Sequence, residues 1–224
     1  MNDSGWRRNK YGGLFNINDY MNQKIRKQTY KNYEGDGERA DEESFKQDNP
    51  EVVYEKNVKT CEQQRVIEEY TTDVGYASSR SINKFLNDDS TYSDSQKQTL
   101  KQNVQILESC MQNSCSVNFE CYRGFKGIKA KDLKIGDEIG KNSIKSCSLT
   151  TYEPSHHAIN GTMVKIKIQK GTKMLYIGSS TKYKRNEYEL LLPSKTKIVV
   201  TKINKLFDED GDFMNYEVEA KAIQ

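Results

Sequence analysis

The sequence predicts an α+β fold in which helices come first along the chain and strands follow. Between residues 60 and 112 the apolar residues recur at helical spacing, whereas from Cys115 onward they alternate with polar residues. Helices followed by a run of strands favour an α+β arrangement, because helices and strands would alternate in a wound parallel sheet. The length of 224 residues allows one domain with a buried core and an extension.

The first 56 residues differ from the rest of the chain in composition. They are polar and carry several tyrosines, and the hydrophobic content of 34% and the mean hydropathy of −0.91 are low for a wholly compact chain. We therefore predict a polar N-terminal extension over residues 1–56 and a folded domain over residues 57–224. The apolar residues between Leu14 and Tyr20 could form a short docking helix, with the remainder as a loosely packed arm.

Charge and cysteine content argue against two classes of protein. Lys and Arg number 35 against 32 Asp and Glu, a net charge of +3, whereas a dedicated nucleic-acid binder would normally have a strongly basic total. The five cysteines lack the paired spacing of a zinc site, and the two histidines are adjacent, so no bound metal is expected. Buried free thiols are favoured over disulfides.

The sequence gives no sign of a secretion signal or of a membrane-spanning segment. Residues 1–8 lack the apolar stretch of a signal peptide, and no apolar run approaches the length of a membrane span. We therefore expect a protein of the cytosol, or one delivered by a route that does not read a cleavable signal.

The helical region is predicted to pack against the strands. Val66, Ile67 and Tyr70 share one face of a first helix, and residues 93–96 form a capping-box pattern at the start of a later one. Tyr70 or Tyr76 could face a bound ligand, although core packing is the favoured interpretation. Four apolar residues of the later helix are expected to point inward: Leu100, Val104, Leu107 and Met111.

Strands are predicted where apolar and polar residues alternate after Cys115. They cover residues 118–124, 144–149, 162–169, 173–177, 188–192 and 216–222. The acidic stretch 208–212 is predicted to be a turn, because its glycine is misplaced for a calcium loop. No Gly-x-Gly-x-x-Gly follows a strand, and residues 136–143 lack the spacing of a phosphate-binding loop.

The most informative stretch is the pair of acids at Glu187 and Glu189. Residues two apart in a strand point to the same face, so both carboxylates would project from the start of the apolar run that Pro193 ends. Paired acids can divide labour, one stabilising a developing cation while the other orients or deprotonates a nucleophile. Such a pair is common on solvated strands, so its meaning depends on Arg123 and Ser146 upstream.

Three motifs occur in an order that is typical of one enzyme family: Arg123 at the end of a strand, then Ser-x-Ser at residues 146–148, then Glu-x-Glu at residues 187–189. On these motifs the chain resembles the Arg-Ser-Glu class of ADP-ribosyltransferases, in its bacterial toxin and phage branch. Each motif is weak alone, and their joint order and spacing carry the resemblance. It implies a catalytic domain over residues 57–224, built of two roughly perpendicular, antiparallel-rich sheets flanked by N-terminal helices, with NAD⁺ between the sheets.

The resemblance also implies a role for each site residue. Arg123 and the adjacent Gly124 would support NAD⁺ and its phosphates, since a planar guanidinium donates paired hydrogen bonds to oxyanions. Ser146 would donate to Glu189, and Ser148 would contact NAD⁺ or secure its strand. Glu189 would stabilise the cation formed when the bond between nicotinamide and ribose breaks. If the other motifs were absent, we would interpret Arg123 as an ion-pair partner and Ser146 as an ordinary strand serine.

The identity of the acceptor is implied by Glu187. Family members with glutamate at this position usually modify arginine, so the resemblance implies a target protein with an arginine acceptor. The loop at residues 179–186 would meet this target, with Tyr183 as an aromatic contact, although a solvated basic loop is an equal alternative. The loop at residues 152–157 would cover the nicotinamide and phosphates, where its two histidines could contact phosphate or simply be exposed.

Two other functions stay open. The basic loop before Glu187 allows nucleic acid or water as the acceptor, which would make the protein a nucleic-acid ADP-ribosyltransferase or an NAD⁺ glycohydrolase. A binding or inhibitory module with inactive chemistry is disfavoured, because the arginine, the serine and both glutamates are present. We further expect a monomer without a membrane partner, acting in the cytosol or after delivery into a host cell cytoplasm.

Overall fold

The computed structural model of the chain describes residues 6–8, 14–16, 29–35, 39–72, 75–158, 161–178, 188–207 and 213–224. The chain divides into two compact units, Met1–Tyr30 and Lys31–Gln224. In the first unit, β1 (Trp6–Arg8) pairs antiparallel with β2 (Leu14–Asn16). The predicted docking helix is wrong at its start, because Leu14 begins a strand.

Six α-helices lie in the described part of the second unit. They are α1 (Glu42–Asp48), α2 (Tyr54–Asn57), α3 (Cys61–Thr71), α4 (Ser79–Asn87), α5 (Asp94–Ser109) and α6 (Tyr152–His157), and a 3₁₀ turn covers Ala130–Asp132. Capping boxes begin α3 and α5, where Thr60 pairs with Gln63 and Ser93 pairs with Gln96. Each box satisfies two backbone N–H groups that the first turn of a helix leaves unpaired. The predicted capping box at residues 93–96 is confirmed.

The strands of the second unit that the structure describes form one eight-stranded sheet. They are β3 (Phe119–Lys126), β4 (Glu138–Ile139), β5 (Lys145–Ser148), β6 (Gly161–Ile168), β7 (Leu175–Gly178), β8 (Glu189–Leu192), β9 (Lys197–Phe207) and β10 (Phe213–Ile223). Their order across the sheet is β4-β9-β10-β6-β3-β5-β8-β7. Neighbours run antiparallel except β6 and β10, which are parallel. The predicted α+β fold class is confirmed.

The sheet has a narrow joint between β3 and β5. These strands share a single registered pair, Tyr122 opposite Ser148, whereas β3 pairs with β6 along its whole length. Beside the joint, Lys31 forms a parallel bridge to Phe119 at the start of β3. The family resemblance implied two sheets. In the structure the strands are hydrogen-bonded into one sheet, whose two halves are joined only through the pair of Tyr122 and Ser148.

Alternate residues of β8 enter two different apolar cores. Leu191 packs in the core formed by α3, α4 and α5, whereas Leu190 and Leu192 belong to the core that β3, β6 and β10 share. A strand buried on both faces reads as a continuous apolar run, which explains the leucine triplet. The four α5-region residues expected to point inward are all buried: Leu100, Val104, Leu107 and Met111.

Residues ahead of α3 also contribute to the core. Tyr33, Phe45 and Val52 are buried in the same cluster as Phe119. The ring of Phe45 meets the rings of Tyr33 and Phe119 edge to face, each with centroids 5.1 Å apart. The stretch around α1 is therefore packed rather than a loose arm. The predicted domain boundary between residues 56 and 57 stays a prediction.

The five cysteines are free thiols. Cys61 is exposed at the start of α3, and the other four are buried, so the expectation of buried thiols is correct except at Cys61. In the ranges given above, no helix combines the length and the apolar character needed to cross a membrane.

Candidate active site

The serine motif and the second acid of the Glu-x-Glu pattern lie side by side on β5 and β8. Ser148 is directly opposite Glu189 in the antiparallel ladder, so the side chains of Ser146, Ser148 and Glu189 share one face of the sheet. The hydroxyl of Ser146 donates a hydrogen bond to Oε1 of Glu189. This bond fixes the orientation of the carboxylate, as expected from the family resemblance.

Arg123 reaches the same place from β3. Its Nη1 donates to the backbone carbonyl of Ser146, and its Cζ lies 5.2 Å from the ring centre of Phe125. Three further residues of β3 follow Arg123, so the arginine lies inside the strand rather than at its end. Because the ladder between β3 and β5 is limited to one pair, the guanidinium rather than a backbone N–H of β3 meets this carbonyl.

Arg123 has unused capacity for an anion. Its Nε is buried and makes no hydrogen bond to any other described residue. A buried polar atom without a partner is costly unless a ligand or water satisfies it. The guanidinium fork therefore fits a group that carries acceptor oxygens, such as a phosphate or a ribose.

Two helices hold the start of β5 through Ile144. The hydroxyl of Tyr70 on α3 donates to the carbonyl of Ile144 at 3.3 Å, and Oδ1 of Asn83 on α4 accepts from its N–H at 2.9 Å. Burial raises the pKa of Tyr70. The positive charge of Arg123 lowers this pKa and the negative charge of Glu189 raises it, so both side chains lie close enough to Tyr70 to influence its hydroxyl.

Tyr70 is therefore a buried packing residue whose hydroxyl supports the site. The other tyrosine considered from the sequence, Tyr76, is 49% exposed and accepts a hydrogen bond from Gln96.

Gly124 allows α6 to lie directly against β3. A Cβ atom at this position would stand 2.2 Å from the carbonyl oxygen of Pro154 and 2.8 Å from the amide nitrogen of Ala158. Since Gly124 is two residues from Tyr122, which faces Ser148, α6 packs on the same face of the sheet as the Ser146–Glu189 pair. The helix thus forms a wall beside the candidate site.

The loop after the serine motif is secured by Ser148 itself. Its Oγ accepts from the N–H of Thr150 at 3.1 Å, a local turn that ends β5. In the following helix, His156 and His157 are both exposed, and the ring of Tyr152 lies 4.8 Å from that of His156. No arginine of this chain follows the serine motif in sequence before Arg185.

A buried lysine lies behind the site. Lys145 is 1% exposed, and its Nζ donates to the carbonyl of Ser194 at 2.7 Å, while Glu108 accepts from both the N–H and the hydroxyl of Ser194. Burial lowers the pKa of Lys145 to about 8, and the nearby charge of Arg123 contributes to the lowering. No pattern in the sequence marks Lys145 as buried, because lysine on a strand is usually solvated.

Glu189 lies beside two residues with left-handed backbone conformations. Gly178, its partner on β7, has a φ of 55°, and Tyr188, directly before it, has a φ of 44°. A Cβ at Gly178 would lie 2.3 Å from Oε1 of Glu42 and 2.7 Å from the ring of Tyr176. Side chains rarely adopt this conformation, so Tyr188 is held there by its surroundings.

The structure brings three of the predicted site residues together: Arg123, Ser146 and Glu189. Gly124 and Ser148 flank them. Glu187, Tyr183 and the rest of the loop at 179–187 lie outside the described residues, as does the predicted turn at 208–212. The sequence predicted no role for Asn83 or Lys145. Asn83 bonds from α4 to the residue before β5, and Lys145 bonds from β5 to the turn at Ser194.

Among the described residues, no cluster of three or more His, Cys, Asp or Glu side chains could hold a metal ion.

Comparison with models of protein families matches residues 24–223 to the ADP-ribosyltransferase exoenzyme family. The match covers most of the chain, and the chain belongs to this family. The resemblance stated from the sequence is thereby confirmed. A comparison with curated proteins gives no match.

Solved structures of bacterial ADP-ribosylating toxins have a similar fold. Plx2a, an ADP-ribosyltransferase toxin from Paenibacillus larvae, is 21% identical with a TM-score of 0.63, over 83% of this chain and 98% of that one. An ADP-ribosyltransferase from Clostridium botulinum is 18% identical with a TM-score of 0.63, over 88% of this chain and 100% of that one. The ADP-ribosylating toxin BECa of a binary enterotoxin of C. perfringens, solved with NADH, is 20% identical with a TM-score of 0.66, over 87% of this chain and 50% of that one.

Proposed function

We propose that the protein is a mono-ADP-ribosyltransferase that cleaves NAD⁺ and transfers ADP-ribose to an arginine of a target protein. The observation that carries this proposal is the hydrogen bond from Ser146 to Glu189, with Arg123 bound to the carbonyl of the same serine. It supports a site in which an oriented carboxylate and a guanidinium act on one ligand. Membership of the exoenzyme family supports NAD⁺ as that ligand.

Bond cleavage would depend on Glu189. When the bond between nicotinamide and ribose breaks, the electron pair leaves with nicotinamide and positive charge develops on the ribose. A preorganised carboxylate stabilises this charge in the transition state more than in the ground state, which lowers the barrier. Ser146 keeps the carboxylate in place, Arg123 would hold NAD⁺, and Gly124 and Ser148 would flank the NAD⁺ site.

Transfer would depend on Glu187, with Tyr183 contacting the target. A guanidinium is a poor nucleophile while it is charged, so a carboxylate must orient the acceptor arginine and help remove its proton. The new bond joins the ribose to a guanidine nitrogen, and that proton is released. Glutamate at position 187 supports arginine as the acceptor, through the family resemblance.

The setting that we propose is that of a bacterial toxin or phage enzyme, acting as a monomer on a protein in a host cell cytoplasm. Similarity of fold to bacterial toxins supports this setting.

Biotinylated NAD⁺ and a host-cell extract test the proposal. The wild-type chain should label a protein, Glu189→Gln should abolish both labelling and nicotinamide release, and Glu187→Gln should lose labelling while it still releases nicotinamide. Glu43→Gln, an exposed residue of α1, is the matched control and should behave like wild type. Mass spectrometry should locate ADP-ribose on arginine.

Three results would contradict the proposal. Label that disappears after nuclease treatment would identify nucleic acid as the acceptor, and nicotinamide release without any labelled macromolecule would identify a glycohydrolase. Binding of NAD⁺ without turnover in any extract would indicate a module with inactive chemistry.

A further inference from the structure

Glu34 connects the segment ahead of α1 to the start of α6. Its Oε1 accepts hydrogen bonds from the backbone N–H of Thr151 at 3.0 Å and from the Thr151 hydroxyl at 2.6 Å. The two residues are 117 positions apart in sequence. Bonds to an ionised carboxylate are stronger than those between neutral groups, so Glu34 holds the residue from which α6 begins.

Glu34 is itself held in a tight turn against β3. Its N–H donates to Oδ1 of Asn32 at 2.8 Å, and Nδ2 of Asn32 donates to the hydroxyl of Tyr122 at 3.4 Å. Burial raises the pKa of Tyr122, and the charge of Glu34 raises it further. On the other side of the turn, Glu34 forms an antiparallel bridge with Ala40. The carboxylate of Glu34 is therefore held in position relative to β3, and its bonds to Thr151 hold the start of α6 in position as well.

The position of α6 bears on the site, and the start of this helix depends on Glu34. The side chain of Thr151 makes no capping hydrogen bond to the helix, and its hydroxyl and its backbone N–H both donate to Glu34. At its other end the helix backbone lies on Gly124, next to Arg123 and on the face that carries Ser146 and Glu189. A ligand bound to these groups would lie beside α6.

We propose that Glu34 is a positioning residue for NAD⁺ binding, which sets the distance between α6 and the Arg123–Ser146–Glu189 group through its two bonds to Thr151. This inference rests on the proposed function. Glu34 would act through Thr151 and α6 rather than on NAD⁺ itself, so it should affect the binding of NAD⁺ and not the cleavage of the bound molecule.

The experiment compares Glu34→Ala, Glu34→Gln, Thr151→Val and the double variant Glu34→Ala/Thr151→Val, with Glu43→Ala as a matched control. Hydrogen exchange of the free protein is measured over residues 151–158, and KM for NAD⁺ and kcat are measured by nicotinamide release. Hydrogen exchange needs no activity, so it reports the structural half of the inference by itself.

Glu34→Ala should speed exchange over residues 151–158 and raise KM about fivefold with kcat unchanged within about twofold. The change in KM is smaller than the direct loss of two bonds to a carboxylate would give, because the effect reaches NAD⁺ only through α6. Glu34→Gln should recover most of the wild-type KM, because an amide oxygen still accepts both bonds. Thr151→Val should raise KM by less, and the double variant should equal Glu34→Ala, since both substitutions remove the same contact.

Several outcomes would overturn the inference. The inference fails if the KM of Glu34→Ala is within about twofold of wild type, or if only kcat falls. It also fails if the effects of Glu34→Ala and Thr151→Val on KM multiply in the double variant. If wild type and Glu189→Gln release nicotinamide equally, the proposed function fails and the inference fails with it. If wild type is active and Glu34→Ala matches it in KM and exchange, the inference alone fails.

Discussion

Ser146 and Glu189 lie on neighbouring strands, and the serine hydroxyl donates a hydrogen bond to the carboxylate. The same serine accepts from Arg123 through its backbone carbonyl. One residue of β5 therefore fixes the relative position of a carboxylate from β8 and a guanidinium from β3. Because β5 is itself held by Tyr70, Asn83 and the buried Lys145, the geometry of the site depends on residues outside it.

Ser146→Ala should lower kcat for nicotinamide release by about 10- to 100-fold, because a hydrogen bond to a charged group contributes about 1.5–3 kcal/mol. The carboxylate of Glu189 would lose the donor that orients it. Steady-state kinetics measures the change. Ser95→Ala, on the exposed side of α5, is the control and should match wild type. Equal rates for Ser146→Ala and wild type would show that the bond does not support catalysis.

Arg123→Lys should reduce kcat/KM for NAD⁺ by about 10- to 100-fold, since an ammonium cannot bond the Ser146 carbonyl and an anion with the same fork. The loss should appear mainly in KM. Arg80→Lys, an exposed position on α4, serves as the matched control and should change kcat/KM by less than about twofold. A lysine variant with wild-type kinetics would mean that charge alone suffices at position 123.

Tyr70→Phe should lower the free energy of unfolding by about 1 kcal/mol, because the buried Tyr70 hydroxyl donates to Ile144 and its removal leaves that carbonyl with one donor fewer. Urea denaturation measures this change. Tyr76→Phe, at a tyrosine that is 49% exposed, should alter it by less than about 0.5 kcal/mol. A stability loss at Tyr76 equal to that at Tyr70 would contradict the support that we assign to the buried hydroxyl.

Gly178→Ala should destabilise the protein more than Gly171→Ala, although both glycines have positive φ, 55° and 91°. At Gly171 a Cβ would meet nothing within 4 Å, so the cost is the backbone strain alone, about 1–2 kcal/mol. At Gly178 the Cβ would also meet Glu42 and the ring of Tyr176. Thermal melting should separate the two variants.

Activity should separate the same two glycine variants. Gly178 is opposite Glu189, so its variant should lose nicotinamide release, whereas Gly171→Ala should keep it. Identical melting temperatures and identical rates would show that the close approach at Gly178 has no consequence.

Lys145→Met should change the pH dependence of stability in a defined direction. The pKa of Lys145 is about 8 in the folded protein and 10.5 as a free side chain. Between these values the unfolded chain binds more protons than the folded one, so the free energy of unfolding of wild type rises with pH. Relative to the variant, wild type should gain at most about 1.4 kcal/mol per pH unit from pH 8 to 10.

Denaturation of wild type and Lys145→Met at pH 7, 8, 9 and 10 measures this difference. Below about pH 7 the difference should be constant, because Lys145 is then protonated in both states. The buried tyrosines are shared by both proteins and cancel in the comparison. A difference that stays flat from pH 8 to 10, or that falls, would contradict the lowered pKa.

The parts of the fold that sequence could predict are those set by local spacing. The capping box at Ser93 and Gln96 and the inward face of α5 follow from residues one or two turns apart, and β8 follows from an apolar run that Pro193 ends. The packed segment around α1 was harder to predict, because Tyr33, Phe45 and Val52 are widely spaced among polar residues. Nothing periodic marks them as core.

For the candidate site, the sequence determined which groups are present and in what order: a guanidinium at 123, hydroxyls at 146 and 148, and carboxylates at 187 and 189. Tertiary structure decided what these groups touch. The one-pair joint between β3 and β5 lets Arg123 reach Ser146, and the bonds from Tyr70, Asn83 and Glu34 cross between elements far apart in the chain. Hydrogen bonds depend on distances of a few ångströms in space, and such distances between remote residues are fixed only when the sheet and its cores assemble.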